Sequence, residues 1–202
     1  MNDKGSEVVL ASSSPQRLTL LRQILPTTKI VVHPTDIDEE RFHELGPKSR
    51  CSQLAHLKAK AAAELFKGNS EAALIIGADT EVVFRGIELG KPKDELEARA
   101  MLESLRGASH EVVTGVSVFH QQLNQWIDAA EVTTVQFRRF SKSTLEAYIQ
   151  ANEWQGKSGA YASQGMGVLL TSGIRGSHSN VVGLPLEKLS EILFEGFNFD
   201  PR

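Results

Sequence analysis

Residues 74–80 constrain the fold more than any other stretch of this sequence. Leu74 precedes two β-branched isoleucines, which predicts a buried strand, and Gly77 permits a bend or a close backbone approach. Asp79 follows where the strand is expected to leave the core, and α/β proteins bind ligands beyond the carboxyl ends of strands. This segment alone favours two interpretations of Asp79 equally. It is either a general base or metal ligand, or the cap of a turn into a second strand at 81–84.

The remaining periodicity alternates strands with helices. The pattern predicts strands at 7–11, 29–33, 110–119 and 126–140, a hairpin turn at Gly86, and helices beginning near Ser14, Pro47, Asp94, Ser143 and Leu184.

The size and charge of the chain exclude several classes of function. Its 202 residues can bury one substantial core, or two lobes that share a cleft. The formal net charge of −3 provides no basic field for coating nucleic acid. No apolar run approaches the ~20 residues that span a bilayer. The amino terminus lacks an apolar signal segment, and the one cysteine, Cys51, excludes an internal disulfide. We therefore expect a cytoplasmic protein whose partners are neither nucleic acid nor membrane.

Ser14 and Pro15 predict the start of a helix, because serine is favoured at the N-cap and proline at the first helical position. Arg17 then falls in the first turn, close to the positive end of the helix dipole. A cation is unfavourable there unless an anion shares the site. Arg17 is therefore either a solvated side chain, which this feature alone favours, or a phosphate ligand.

A long helix predicted over 47–66 carries Lys58 in the middle of its apolar face. That face consists of Cys51, Leu54, Leu57, Ala61 and Leu65. Because an unpaired buried charge is costly, Lys58 either extends its ammonium group to solvent or has an anionic partner. Lys60 points away, so a function is expected for Lys58, and its removal is expected to stabilise the ligand-free protein. Cys51 is predicted to be a core residue.

Two further segments contain candidate ligands for phosphate or metal. The acidic loop after Pro34 contains Asp38 and Glu39, which are either solvated or presented to a divalent cation, since Mg²⁺ prefers hard oxygen ligands. Lys91 lies on a rigid turn beside Pro92 and is either a phosphate ligand or an exposed loop residue. A glycine-rich loop at 157–167 permits close backbone approach, but it lacks the Walker and dinucleotide-fold spacings.

Six short motifs occur in an order that resembles the Maf family, also called septum-formation proteins, from about Val8 to Phe194. They are Leu10-Ala11-Ser12-x-Ser14-Pro15-x-Arg17, Leu54-Ala55-x-x-Lys58-Ala59, Gly77-Ala78-Asp79-Thr80, Lys91-Pro92, Lys157-Ser158-Gly159-Ala160-Tyr161-x-x-Gln164-Gly165 and Asn180-Val181-Val182-Gly183-Leu184-Pro185. Each motif alone is modest, whereas six in register are highly specific. The resemblance implies an α/β fold related to inosine triphosphatase, in which a mixed, curved sheet is flanked by helices. It also implies one domain over 1–202, with two lobes around a deep cleft.

The same resemblance implies a nucleoside triphosphate pyrophosphatase, which converts its substrate to the monophosphate and pyrophosphate. By position, Asp79 matches the family's proton acceptor. Glu39 and Asp79 match the site of a divalent cation, Mg²⁺ or Mn²⁺. The family's phosphate-binding positions are matched by Ser12, Arg17, Lys58 and Lys91.

Three positions correlate with substrate choice in this family, and here they are Gln16, Thr80 and Gln164. Thr80 and Gln164 match the branch that acts on dTTP and UTP, whereas Gln16 replaces the arginine usual there. A 7-methyl-GTP branch would resemble glutamine at position 80 and glutamate at 164. Two alternatives accompany the dTTP/UTP hypothesis: a pyrophosphatase that prefers 7-methyl-GTP, and a nucleotide-binding regulator of septation without turnover. Homodimer formation is left open.

Overall fold

The computed structural model describes residues 7–38, 42–69 and 72–200 as a mixed α/β structure. Its strands are β1 (Glu7–Ala11), β2 (Ile30–Val32), β3 (Ala72–Phe84), β4 (Ile87–Leu89), β5 (Ser109–His120), β6 (Gln125–Phe137) and β7 (Thr171–Arg175). Its α-helices are α1 (Pro15–Ile24), α2 (Pro47–Leu65), α3 (Glu95–Leu105), α4 (Lys142–Gln150), α5 (His178–Val182) and α6 (Leu186–Ser190). Two 3₁₀ segments cover Ser158–Ala160 and Gly165–Leu169, and a π-helical segment covers Glu191–Gly196.

The seven strands form one mixed sheet. Its order is β2-β1-β3-β5-β6-β7, with β4 paired to β3 outside this path. β1 is parallel to both β2 and β3, whereas the β3–β4 and β6–β7 pairs are antiparallel. Together with the flanking helices, this mixed sheet confirms the predicted fold class.

The strand that contains Asp79 is longer than the sequence predicts. Instead of ending at Asp79, β3 runs without a break to Phe84, and the hairpin turn lies at Arg85 and Gly86. β3 pairs with parallel β1 as far as Gly77 and with antiparallel β4 from Val82 onward. Asp79 lies between these two pairings. The interpretation of Asp79 as a turn cap is therefore wrong.

The chain divides into two compact units, each with its own core. The first unit comprises the residues up to Asp79, Thr114–Glu131 and the residues from Gly183 onward. Its buried cluster joins β1 and β3 to α2 through Val9, Ala11, Ile75, Ala59 and Ala62. The second unit comprises Thr80–Val113 and Val132–Val182. Its larger cluster includes Leu102, Val135, Phe137, Tyr148 and Leu170.

The starts of the five predicted helices follow the sequence closely, with one exception, whereas the short helix α5 is not predicted. The Ser14 side chain accepts a hydrogen bond from the Arg17 amide, and that of Asp94 accepts from the Glu97 amide, so both predicted N-caps are confirmed. The N-cap of α4 is Ser141 and not Ser143. No helix within the described ranges has both the length and the apolar composition of a bilayer-spanning segment.

The buried face of α2 differs from the predicted apolar stripe. Cys51 and Leu54 are buried as expected, but the side of the helix that meets the sheet continues through alanines, and Leu65 is 67% exposed. The reason is the close approach of α2 to β3. A Cβ on Gly77 would overlap the Ala55 carbonyl oxygen and lie 2.7 Å from the amide nitrogen of Ala59.

Candidate functional site

Ser12 and Arg17 meet where β1 ends and α1 begins. The Arg17 guanidinium donates from Nη1 to the Ser12 hydroxyl at 3.1 Å and from Nε to the Gly183 carbonyl at 2.8 Å. Ser12 Oγ also accepts from the Ser14 amide at 3.2 Å. Arg17 is therefore held in place by the first unit, and its interpretation as a solvated side chain is wrong. The arrangement fixes a cation beside the amino-terminal backbone N–H groups of α1, where anions bind favourably.

Gln16 lies in the same turn of α1 and is half-buried. The Ser14 hydroxyl donates to its Oε1 at 3.2 Å. The N-cap serine thus orients the Gln16 side chain as well as satisfying the Arg17 amide.

Asp79 and Lys58 form a nearly buried ion pair within the first unit. The Nζ atom of Lys58 donates to Oδ1 of Asp79 at 2.6 Å, and the two side chains are 12% and 10% exposed. Gly77 makes this contact possible, because it allows α2 to approach β3 closely enough for Lys58 to reach the strand. Lys60 is exposed.

The ion pair shows which of the two predicted alternatives holds for Lys58: it has an anionic partner and does not extend to solvent. Its anionic partner is a carboxylate of the protein, and each charge is compensated by the other in a site where either alone would be costly. A carboxylate has about four acceptor positions, so one bond to Lys58 leaves it able to accept a hydrogen bond from water. The geometry suits a general base held beside a cation.

A second carboxylate, Glu81, lies two residues after Asp79 on β3. Side chains two apart on a strand share a face, and here the ligand oxygens of the two residues lie within 4.8 Å of one another. Both are buried: counted over the whole residue, Asp79 is 7% exposed and Glu81 is 4% exposed. Paired carboxylate oxygens are suitable ligands for Mg²⁺ or Mn²⁺. Cys51 Sγ is also within 4.8 Å of the Asp79 carboxylate, but a thiol is a poor ligand for these hard cations.

The sequence pattern does not single out Glu81, because it predicts that the strand containing Asp79 ends before this residue. The period-2 pattern would have placed Glu81 beside Asp79 had residues 74–84 been predicted as one strand. Glu39, the other expected metal ligand, lies outside the described residues. Asp38, next to it, is exposed.

The other candidate residues belong to the second unit. Thr80 is half-buried in β3, and Lys91 is exposed on the turn that follows β4. Gln164 is exposed at the start of the 3₁₀ segment Gly165–Leu169, where its backbone carbonyl accepts from the Gly167 amide at 3.2 Å. Within this unit the structure therefore leaves the amide of Gln164 accessible to a ligand.

Partly buried hydrogen bonds fix the loop on either side of Gln164. The Tyr148 hydroxyl accepts from the Ala162 amide at 3.0 Å, and the Glu153 carboxylate accepts from the Met166 amide at 2.9 Å. Burial raises the pKa of Tyr148 to about 12, so its hydroxyl remains neutral at physiological pH. The backbone around Gln164 is thus set by side chains of α4 and of the segment that follows it.

His110 and Tyr161 form a neutral pair in the core of the second unit. His110 Nε2 and the Tyr161 hydroxyl are 2.7 Å apart, and the Phe137 ring packs edge-on against both. Burial lowers the pKa of His110 to about 4 and raises the pKa of Tyr161. Both side chains are therefore uncharged at neutral pH, and they anchor the loop at the residue after Ala160.

Comparisons with known proteins agree over nearly the whole chain. A family model described as Maf-like protein matches residues 7–195. A protein of Pyrococcus furiosus named dTTP/UTP pyrophosphatase is 41% identical over 89% of this chain and 90% of its own length. A protein of the same name from Ruminiclostridium cellulolyticum is 42% identical over 92% of this chain and 94% of its own length. Another, from Pelotomaculum thermopropionicum, is 42% identical over 95% of this chain and 98% of its own length.

Proposed function

Because this chain belongs to the Maf-like protein family, we propose that it is a nucleoside triphosphate pyrophosphatase that hydrolyses dTTP and UTP to the monophosphate and pyrophosphate. The observation that carries this proposal is the nearly buried Asp79–Lys58 pair beside Glu81, because it supplies a base, a cation and a second carboxylate on adjacent elements. In this proposal residues 1–202 act as one catalytic domain in the cytoplasm. Light scattering distinguishes a monomer from a homodimer.

The reaction requires a base that activates water and cations that neutralise the phosphates. Asp79 accepts the proton of the water that attacks the α-phosphorus. Ser12 and Arg17, at the amino terminus of α1, bind phosphate oxygens, and Lys58 places a positive charge beside the base. Lys91 contributes a further cation.

A divalent cation, Mg²⁺ or Mn²⁺, fits the residues present. Asp79 and Glu81 would hold it, with Glu39 as the additional carboxylate that the family resemblance implies. When bound, it would neutralise charge on the phosphates as a Lewis acid.

Thr80 and Gln164 favour a pyrimidine base. The Gln164 amide has both a donor and an acceptor, which suits the imide edge of uracil or thymine. Guanine presents its N1–H and its 2-amino group together, and a neutral amide would leave one of these donors unpaired, at a cost of roughly 1–3 kcal/mol. That cost corresponds to about tenfold to a hundredfold discrimination.

Pyrophosphate release from a panel of nucleotides tests this function. With Mg²⁺ present, we expect a higher kcat/KM for dTTP and UTP than for ATP, GTP or 7-methyl-GTP. A preference for 7-methyl-GTP would overturn the pyrimidine assignment but not the pyrophosphatase activity. Binding of nucleotides without any release of pyrophosphate would instead support the alternative function, a nucleotide-binding regulator of septation without turnover.

Gln16 provides a second test of substrate choice. The family branch that acts on dTTP and UTP usually has arginine at this position, so we expect the Gln16→Arg variant to raise or sharpen the activity on pyrimidine nucleotides. The kcat/KM ratio of UTP to GTP, measured for both proteins, checks this. An unchanged ratio and rate would remove position 16 from the specificity set.

A further inference from the structure

Two lysines of the second unit lie close together without acidic partners. Lys91 follows β4, and Lys157 precedes the 3₁₀ segment Ser158–Ala160. Partial burial lowers the pKa of Lys157, and the nearby charge of Lys91 lowers it further. In the described part of the chain, neither ammonium group is paired with a carboxylate.

Hydrogen bonds of the backbone and of the Ser158 side chain hold together the two segments that carry these lysines. The Gly159 amide donates to the Gly90 carbonyl at 3.1 Å, and Ser158 Oγ donates to the Leu89 carbonyl at 2.6 Å. Ser158 Oγ also accepts from the Val82 amide at 3.3 Å. These bonds join the segment after Lys157 to the residues just before Lys91. The fold therefore holds the backbone segments that carry Lys91 and Lys157 close together.

The backbone conformation of this segment is unfavourable for most residues. Gly159 has φ +68°, and a Cβ there would lie 2.9 Å from Cγ1 of Val82. Ala160, which does carry a Cβ, has φ +60°. The left-handed conformation of Ala160 and the adjacent like charges both oppose folding of the ligand-free protein. Strained backbone of this kind is concentrated at active sites and ligand-binding sites.

We propose that Lys91 and Lys157 together bind the two terminal phosphates of the substrate, the diphosphate that leaves as pyrophosphate. This inference rests on the proposed function and adds Lys157 to the residues that bind substrate. The terminal phosphates carry most of the negative charge of a triphosphate, so they match a pair of adjacent cations. The α-phosphate, which stays on the monophosphate product, is not the group that this pair binds.

Product inhibition tests the assignment, because the two products separate the two parts of the triphosphate. With UTP as substrate at constant Mg²⁺, pyrophosphate and UMP are each used as inhibitors. In Lys157→Met we expect the inhibition constant for pyrophosphate to rise about tenfold to a hundredfold, the effect of losing a hydrogen bond to a charged group. The constant for UMP stays within about twofold. Lys93→Met, an exposed lysine near the same turn, changes neither constant.

Thermal unfolding separates a binding role from a structural one. Because Lys157→Met removes a repulsion, its melting temperature without ligand is expected to equal or exceed that of the wild type. Added pyrophosphate should raise that temperature less than in the wild type. Lys157→Arg, which keeps the charge, retains most of the pyrophosphate inhibition.

Three results would overturn the proposal. They are unchanged pyrophosphate inhibition in Lys157→Met, an equal loss of inhibition by pyrophosphate and UMP, and a lower melting temperature without ligand. Calorimetric titration of pyrophosphate into the wild type and Lys157→Met needs no turnover. If the wild type releases no pyrophosphate from any nucleotide, the proposed activity fails, while this titration still decides whether Lys157 binds a diphosphate.

Discussion

Asp79 and Lys58 are each too buried to hold a charge alone, so the function and the stability of this site are linked at two residues. Asp79→Asn keeps the shape of the side chain but removes the base. We expect turnover of UTP to fall by roughly 10² to 10⁴, the usual contribution of a positioned general base. Pyrophosphate release measures the loss, and circular dichroism checks that the variant is folded.

Asp94→Asn is the matched control for Asp79→Asn, because asparagine also caps a helix and Asp94 is exposed. Turnover by Asp79→Asn close to that of the wild type would reject Asp79 as the base.

The ion pair reverses the stability effect that the sequence predicts for Lys58. From the apolar stripe alone, removing this lysine should stabilise the protein, but the structure shows that it would leave the Asp79 carboxylate buried without its partner. We expect Lys58→Met to lower the free energy of unfolding by about 3 kcal/mol. Lys60→Met, at an exposed position, should stay within about 0.5 kcal/mol of the wild type.

Urea denaturation of Lys58→Met, Asp79→Asn and the double variant Lys58→Met/Asp79→Asn measures the coupling between the two residues, and Lys60→Met is the control. The double variant removes both charges, so it should recover part of the stability that Lys58→Met loses. Equal stabilities for the Lys58 and Lys60 variants would mean that the pair contributes nothing to folding.

Among the secondary-structure elements, the contact of α2 with β3 depends on the absence of a side chain at Gly77. A Cβ there would meet the backbone of Ala55 and Ala59, and backbone atoms cannot move aside as the end of a flexible side chain can. We expect Gly77→Ala to displace α2, to lower the free energy of unfolding by about 2 kcal/mol or more, and to reduce turnover because Lys58 no longer reaches Asp79.

Gly173→Ala is the matched control for Gly77→Ala. Gly173 also lies in a strand, β7, but a Cβ there has no neighbour within 4 Å. The melting temperature and the rate of UTP hydrolysis check both variants. If Gly77→Ala melts and turns over like Gly173→Ala, the close packing of α2 is not what positions Lys58.

At the scale of the whole molecule, the buried His110 makes stability depend on pH. Its pKa is about 4 in the folded state against an ordinary 6.5, so the unfolded chain binds the proton more tightly. The contribution of His110 to the free energy of unfolding is therefore fully present above about pH 6.5. It decreases by about 3 kcal/mol as the pH drops toward 4. Burial also lowers the pKa of His120, which acts in the same direction.

Urea denaturation between pH 7 and pH 4 tests this dependence. In His110→Gln the amide can still bond the Tyr161 hydroxyl but takes up no proton. The stability of this variant should therefore decline less steeply than that of the wild type over the same range. Parallel curves for the two proteins would show that His110 is not the group responsible.

The sequence correctly predicts those features that depend on interactions between residues close together in the chain. Ser14 and Asp94 cap helices because the amides they bond lie three residues ahead, and the turn at Arg85 and Gly86 is likewise local. The inward position of Lys58 follows from its place on the apolar side of one helix. The order of six motifs was sufficient to predict the family, which the comparisons confirm.

Tertiary structure alone decides which residues meet. No local signal shows that β3 continues past Asp79, because the strand there exchanges β1 for β4 as its neighbour. The partner of Lys58 is 21 residues away on another element, and the contact exists only because Gly77 lets helix and strand approach. Lys157 lies near Lys91 for a similar reason, since hydrogen bonds from Ser158 and Gly159 to Leu89 and Gly90 join the two segments. Residue types and short spacings thus determined the chemistry that this chain carries. Packing between distant segments determined which of those groups act together, because burial makes a charge costly until a partner reaches it.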